Sequence, residues 1–275
     1  MTKLKEALKN KLTKKQLELV PSAFDSVGDL AIFSDFPEKL KTKEKIIAEA
    51  LLKLNKTTKV ILKKTKKYSG TFRTPKLKIL AGERRKQTEL KENSVILRLN
   101  PEKSYFSVRL ATERKRINLL VKPNESVLVM FSGIAVYPLN ISKNTKAKEI
   151  CAIEINPHAH KYAEENLILN KAKNIKLFLG DVRKVMPKIN QKFDRILMPL
   201  PRSAKDYLDL AIKAAKKGTI IHFYDFLHEK EFQKAKEKIQ KACKEQKKKY
   251  KILNLSKCGQ FGPGIYRICV DFKIV

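Results

Sequence analysis

From residue 123 onward, five short apolar runs recur with helix-patterned stretches between them: ESVLVMFSGI, KEICAIEINP, IKLFLGDV, FDRILMPLP and GTIIHFYDF. A continuous apolar run flanked by helices describes a strand buried on both faces, the condition of a parallel sheet covered by helices. HAHKYAEENLILNKA, SAKDYLDLAIKAAKKG and EKEFQKAKEKIQKACKEQ supply the covering helices, with Gly218 placed as the C-cap glycine of the second. YRICVDFKIV closes the chain as a strand expected to pair at the sheet edge. The expected fold is therefore α/β, with a doubly wound, mostly parallel sheet.

The first part of the chain has another texture. Leu4, Leu8, Leu12 and Leu17 fall roughly on one face of a short basic helix that Pro21 ends. A compact apolar run follows around Leu30 to Phe33, then a helix through KEKIIAEALLKL. TKVILKK, KLKILAGE and NSVILRLNP read as strands of a small sheet. The expected organisation is a basic helix over 1–20, an α+β domain over 21–115 and the doubly wound domain over 116–275.

Charge narrows the partner. The 275 residues hold 61 Lys+Arg against 28 Asp+Glu, a formal net charge of +33. Dispersed lysines suit a phosphate backbone, whose condensed counterions they release. An acidic membrane surface and a high-temperature composition are the alternatives, but glutamate does not rise with lysine as the second requires. No stretch reaches the roughly 20 apolar residues of a spanning helix, and MTKLKEALKNKLTKKQLELV is too lysine-interrupted for a signal peptide, so a soluble cytoplasmic chain without membrane contact is expected. Cys151, Cys243, Cys258 and Cys269 form no CxxC pair and have no histidine at ligand spacing, so no metal is expected. Cys151 and Cys269 lie in apolar runs, as buried structural thiols do.

Ligands of such sheets bind beyond the carboxyl ends of the strands. Glu154 ends the second apolar run, where a carboxylate accepts from ribose hydroxyls, and Asp181 ends the third, where it can accept from an adenine amino group. Helix N-capping is the alternative for both. The first loop, MFSGIAV, has only Gly133 where a pyrophosphate cradle wants several glycines. A nucleoside cofactor without pyrophosphate fits better, and S-adenosylmethionine is the candidate. Ahead of the sheet, SYFSVRLATERKRI gathers Arg109, Glu113, Arg114 and Arg116 behind Tyr105 and Phe106. A solvated, ion-paired helix start is one reading; a site is the other.

These stretches, with PSAFDSVGDLAIF, TFRTPKLKILAGE, IEINPHAHKYAEENLILN, ILMPLPRSA and VDFKIV, resemble the tRNA (guanine-37 N1)-methyltransferases of archaea and eukaryotes. The resemblance implies a class I S-adenosylmethionine-dependent methyltransferase sheet behind a smaller N-terminal α+β domain, acting as a monomer on the tRNA anticodon loop at position 37. It makes Glu113 the general base for the N1 proton, with Arg109 beside it between cofactor and base, and Arg73 of TFRTP the cation facing O6. The chemistry agrees, since N1–H of guanine is weakly acidic and its transfer wants a base and a cation nearby. By the same resemblance Arg109, Phe131, Glu154, Ile155, Asp181, Val182 and Pro199 line the cofactor, while Tyr105, Arg114, Pro199 and Arg202 meet the substrate.

The sequence departs from the family pattern at Val129 and Ala135 in the first loop, at Pro199-Leu200-Pro201 where Asn-Leu-Pro is common, and at Glu154 where aspartate is. The departures resemble the bifunctional subgroup that also methylates C7 of 4-demethylwyosine, because removing the Asn side chain makes room for a tricyclic base. Only a short basic helix stands where the family carries a separate domain for the tRNA elbow. An aminocarboxypropyl transferase of the same wyosine pathway and a non-catalytic RNA-binding scaffold are the rival readings. Cytosine-5 and exocyclic-amine methyltransferases are disfavoured, since no Pro-Cys or Asn-Pro-Pro-aromatic motif ends a strand.

Overall fold

The computed structural model describes residues 2–70, 72–200 and 203–275, and the chain divides into two compact units: Met1–Lys91 with Ile96–Val108, and Glu92–Val95 with Arg109–Val275. The boundary falls at 108/109, ahead of the expected 115/116, so the helix carrying Glu113 belongs to the second unit.

In the first unit the N-terminal leucines do not share one helix. The Thr13 hydroxyl accepts from the Gln16 amide at 3.3 Å, and the Gln16 side chain accepts from the Thr13 amide at 3.1 Å. This capping box starts a second helix. The segment thus forms α1 (Lys3–Ala7) and α2 (Lys14–Leu19), and its Leu4, Leu8 and Leu12 enter one core with Phe33, Ile47 and Ile61. Residues 1–20 belong to this unit. Strands β1 (Asp25–Val27), β2 (Leu30–Phe33), β3 (Val60–Ser69) and β4 (Thr74–Gly82) form a sheet in that order, with α3 (Glu44–Leu54) packed on β3 and β4. Glu44 is buried there between Lys63 (2.5 Å) and Lys78 (2.8 Å), which offsets the cost of its charge. Strands β5 (Thr88–Glu92) and β6 (Val95–Leu99) pair through Asn93 and Ser94, whose φ of 47° and 67° give the left-handed turn that suits strand twist.

The second unit begins with α4 (Ala111–Leu120) and continues as β7 (Ser126–Met130), α5 (Val136–Asn144), β8 (Glu149–Glu154), α6 (Pro157–Leu169), β9 (Ile175–Leu179), α7 (Val182–Ile189) and β10 (Phe193–Met198). It closes with α8 (Leu208–Ala214), β11 (Ala215–His228), α9 (Gln233–Glu245), β12 (Tyr250–Gly262) and β13 (Ile265–Ile274). Among the described residues these strands form one sheet in the order β12-β13-β11-β10-β7-β8-β9. It is parallel from β9 through β11, and β13 runs antiparallel to both its neighbours.

The five apolar runs are the five parallel strands, as expected, and the doubly wound α/β class is the fold found. Two details differ. The closing strand β13 lies inside the sheet, because β12, whose YKILNLSKCGQFG mixes charge and glycine as edge strands do, takes the edge. Gly218 does not cap α8, which ends at Ala214; it sits at φ 94° in a register shift at the start of β11. Ile221 and Phe223 of β11 and Val270 and Phe272 of β13 share a hydrophobic core with Leu208, Ile212 and Ile239 of α8 and α9. Their alternate neighbours, His222, Tyr224, Cys269 and Asp271, point to the other face.

Candidate active site

Strands β7 and β10 are neighbours from which the chain winds outward in opposite directions, and that switch point places a crevice at their carboxyl ends. The loop leaving β7 alternates left-handed residues: Phe131 (φ 59°), Gly133 (φ 59°) and Ala135 (φ 63°). For the two non-glycine residues this conformation costs about 1–2 kcal/mol each, strain of the kind found at binding loops. Glu154 holds the loop in place. One of its carboxylate oxygens accepts from the Gly133 amide and the other from the Asn156 amide, both at 2.7 Å. Burial raises its carboxyl above the usual range, and the backbone donors oppose that rise.

The capping alternative holds for Asp181 and fails for Glu154. Asp181 caps α7, accepting from the Arg183 amide at 2.7 Å, whereas α6 is capped by Asn156 with Pro157 following it. Around the crevice, the Ser132 hydroxyl is buried without a hydrogen-bond partner. Ile155 and Leu179 are 41% and 52% exposed at the ends of β8 and β9. Phe131 meets Tyr207 edge to face at 4.8 Å, and the Arg183 guanidinium lies 3.9 Å from the Tyr207 ring. An orphaned hydroxyl, exposed aliphatic side chains and strand-end carboxylates fit an adenosyl group. Val182 is buried in the core, and Pro199 is half-buried after β10 in a turn closed by the Leu200 amide on the Met198 carbonyl at 2.7 Å. Pro201 and Arg202 lie outside the described residues.

Glu113, on α4, is buried. It accepts from Arg116 Nε at 2.7 Å and Nη2 at 2.8 Å, and from the Tyr224 hydroxyl at 2.7 Å, which itself lies 3.3 Å from that of Tyr137. Arg116 also donates to Asp271 at 2.6 Å, and Asp271 meets His222 Nδ1 at 2.6 Å. At the far end, Arg195 Nη1 stands 2.7 Å from His222 Nε2, and Arg195 is paired with Glu125. A guanidinium only donates, so Nε2 accepts and Nδ1 carries the proton given to Asp271. Full burial lowers the His222 pKa, Asp271 opposes this, and Arg195 and Arg116 add to it, consistent with a neutral ring. Burial acts to raise the Asp271 carboxyl, but His222 and Arg116 outweigh it and hold it well below the usual range.

His222, Cys269 and Asp271 offer metal-ligating atoms within 4.8 Å of one another, a grouping the sequence spacing did not show. Both imidazole nitrogens are engaged and guanidinium groups flank the set from two sides, so its chemistry is that of a charge network. Cys151 is buried as expected, and burial pushes its thiol up to about 11, the mark of an inert structural cysteine.

Arg114, expected to meet the substrate, is 1% exposed and paired through two hydrogen bonds with Glu92. Arg109 precedes α4 in the short 3-10 turn Val108–Leu110 and is exposed. Arg73, in the turn between β3 and β4 with φ 49°, and Tyr105, 40% exposed, belong to the first unit. The sequence reading missed Ser132, Arg195, His222, Tyr224 and Asp271. Polar residues at period two within buried strands, His222 with Tyr224 and Cys269 with Asp271, were the available signal.

The sheet, its switch-point crevice and the pyrophosphate-free loop define a class I S-adenosylmethionine-dependent methyltransferase. The chain belongs to the TRM5/TYW2 methyltransferase family: that domain matches residues 88–253, and a TYW2 N-terminal domain matches residues 4–85. It is 36% identical to the Pyrococcus abyssi tRNA (guanine(37)-N(1))-methyltransferase Trm5b, over 93% of this chain and 76% of that one. It is 33% identical to the Nanoarchaeum equitans tRNA (guanine(37)-N(1))/4-demethylwyosine(37)-methyltransferase Taw22, over 92% and 100%. A Methanocaldococcus jannaschii tRNA(Phe) (4-demethylwyosine(37)-C(7)) aminocarboxypropyltransferase is 30% identical over 91% and 97%. Among solved structures, the complex of aTrm5 with tRNALeu superposes with a TM-score of 0.84 at 33% identity, over 100% of this chain and 78% of that one. TYW2 of M. jannaschii with AdoMet superposes with a TM-score of 0.69 at 25% identity, over 92% and 100%.

Proposed function

We propose that the chain transfers the methyl group of S-adenosylmethionine to N1 of guanosine 37 in tRNA, and to C7 of 4-demethylwyosine at the same position, as a cytoplasmic monomer acting on the anticodon loop. The observation that carries this reading is the similarity along the whole length of the Nanoarchaeum equitans relative, which is named for both acceptors. Pro199 agrees with it, since a proline after β10 leaves no side-chain amide to occupy the space a tricyclic base needs.

Bound S-adenosylmethionine supplies an electrophilic methyl group. On this reading Ser132, Glu154 and Asp181 hydrogen-bond its nucleoside and Ile155 packs on the adenine. Glu113 takes the N1 proton. Arg116 is shared between Glu113 and Asp271, so its charge stays balanced by Asp271 when Glu113 is protonated. Glu113→Gln is expected to lower methyl transfer about 10²–10⁴-fold, with S-adenosylhomocysteine affinity within twofold of the parent. A parallel loss of cofactor binding would make the side chain structural.

An aminocarboxypropyl transferase is the second reading, favoured by the TYW2 N-terminal domain match over residues 4–85 and by coverage of 97% of the M. jannaschii enzyme of that activity. S-adenosylmethionine labelled separately in the methyl and in the aminocarboxypropyl group, offered to tRNA with guanosine or 4-demethylwyosine at position 37, tests both. Methyl label in both nucleosides is the expected result. Aminocarboxypropyl label in the tricycle would establish the rival, and no transfer without cofactor binding would leave an RNA-binding scaffold.

A further inference from the structure

The parallel sheet brings together lysine-rich segments that are far apart in sequence. VKPNE (121–125), KNTKAK (143–148), NKAKN (170–174), KINQK (188–192) and KAAKKG (213–218) lead into or begin β7, β8, β9, β10 and β11. KEQKKKYK (244–251) does so for β12, which runs in the same direction as β11 because both are antiparallel to β13. All six therefore meet at the amino ends of these strands, the edge opposite the cofactor crevice. They hold sixteen lysines, every one exposed, against two glutamates. Among the described residues, ion pairs to carboxylates involve only Lys213 with Asp209 (3.9 Å) and Lys216 with Asp194 (2.6 Å).

The crevice edge is different. FSGIA and INP carry no charge, GDVRK sets one carboxylate against two cations, PLPRSAK after β10 adds two cations, and HEKE at the end of β11 is net acidic. The basic edge is thus a concentration of charge beyond the chain's general excess. With strands about 4.8 Å apart, the row is about 30 Å long.

We propose that this edge is a second RNA-binding face, which grips phosphodiester backbone of a segment other than the one presented to the crevice. Its chemistry selects backbone over bases. Every cation in the six segments is lysine, a mobile point charge, and none is arginine, the residue that forks onto base edges or phosphates. An acidic bilayer fits less well, because the larger apolar residues within the row, Val121, Ile189 and Tyr250, are partly buried, and the exposed Leu119, Leu120, Ile168 and Val275 beside it sit at the ends of three different elements instead of forming one amphipathic helix face that inserts.

The test compares the full-length quadruple variant Lys247→Glu, Lys248→Glu, Lys249→Glu, Lys251→Glu with a control of equal charge change, Lys9→Glu, Lys11→Glu, Lys14→Glu, Lys15→Glu. The probe is an RNA hairpin duplex with no unpaired guanosine, titrated across salt concentrations. The edge variant is expected to bind at least tenfold more weakly than the control, with the slope of log K against log salt reduced by about three. A thermal shift with S-adenosylhomocysteine that matches the parent shows the fold intact, and the corresponding Lys→Gln set replaces any variant that fails this check. Equal losses in both variants would reduce the face to net charge and overturn the proposal, as would unchanged binding. Tighter binding of the parent to phosphatidylserine vesicles than to the hairpin, lost in the edge variant, would overturn it in favour of a membrane.

Discussion

Replacing Asp271 by asparagine removes one charge and reverses the character of one group facing Arg116. In the parent, Asp271 accepts from Arg116 Nη1 at 2.6 Å, from His222 Nδ1 at 2.6 Å and from the Cys269 thiol at 3.3 Å. Asparagine can keep the histidine bond through its carbonyl, but its amide then adds a donor beside a guanidinium. At an effective dielectric of about 20, opposite charges about 4 Å apart attract by about 4 kcal/mol, and removing one partner of a buried pair costs about 3–5 kcal/mol. Arg116 keeps some access to water, with 24% of its side chain exposed, which favours the lower end. For a unit of this size, about 3 kcal/mol corresponds to about 6–12 °C in thermal midpoint. The depressed Asp271 carboxyl stabilises the fold above the unfolded carboxylate value of about 4, and that contribution disappears as pH falls through the lower folded value. Urea unfolding of parent and Asp271→Asn between pH 7 and 4 should therefore show a constant deficit with unchanged m. A deficit below about 1 kcal/mol at pH 7 would refute the network as a structural tie on α4.

His222 is buried and its pKa is lowered, so its unfolded form takes up a proton near pH 6.5 while the folded form does not. Parent stability should fall by up to about 1.4 kcal/mol per pH unit below that point, and His222→Asn should lose that slope in a urea-midpoint series. Ile155→Asp places a charge where an exposed aliphatic side chain follows β8. It is expected to weaken S-adenosylhomocysteine about tenfold by calorimetry and to leave the apo thermal midpoint within about 2 °C.

The parallel strands were legible because each carries a mostly apolar run between helix-patterned stretches, a signal that needs no knowledge of neighbours, and the strand-end residues Glu154 and Asp181 followed from them. The edge strand β12 was not, since half its residues face water and its register to β13 shifts repeatedly. The same limit explains the site. RLATERKRI shows a cluster of charges, but which arginine meets Glu113 depends on β11 and β13, more than 100 residues away. Tyr224 and Asp271 claim the face of α4 that carries Glu113 and Arg116, while Arg114 turns to Glu92. The strands responsible alternate by two, so IIHFYDF and ICVDF each send one apolar set to α8 and α9 and one polar set to α4. A polar set repeating at period two in a buried strand requires buried partners, because an unpaired buried polar group costs more than the strand can recover. Such a pattern in one strand therefore predicts a complementary charge cluster elsewhere in the chain, and the arginine-rich stretch that begins α4 is that complement.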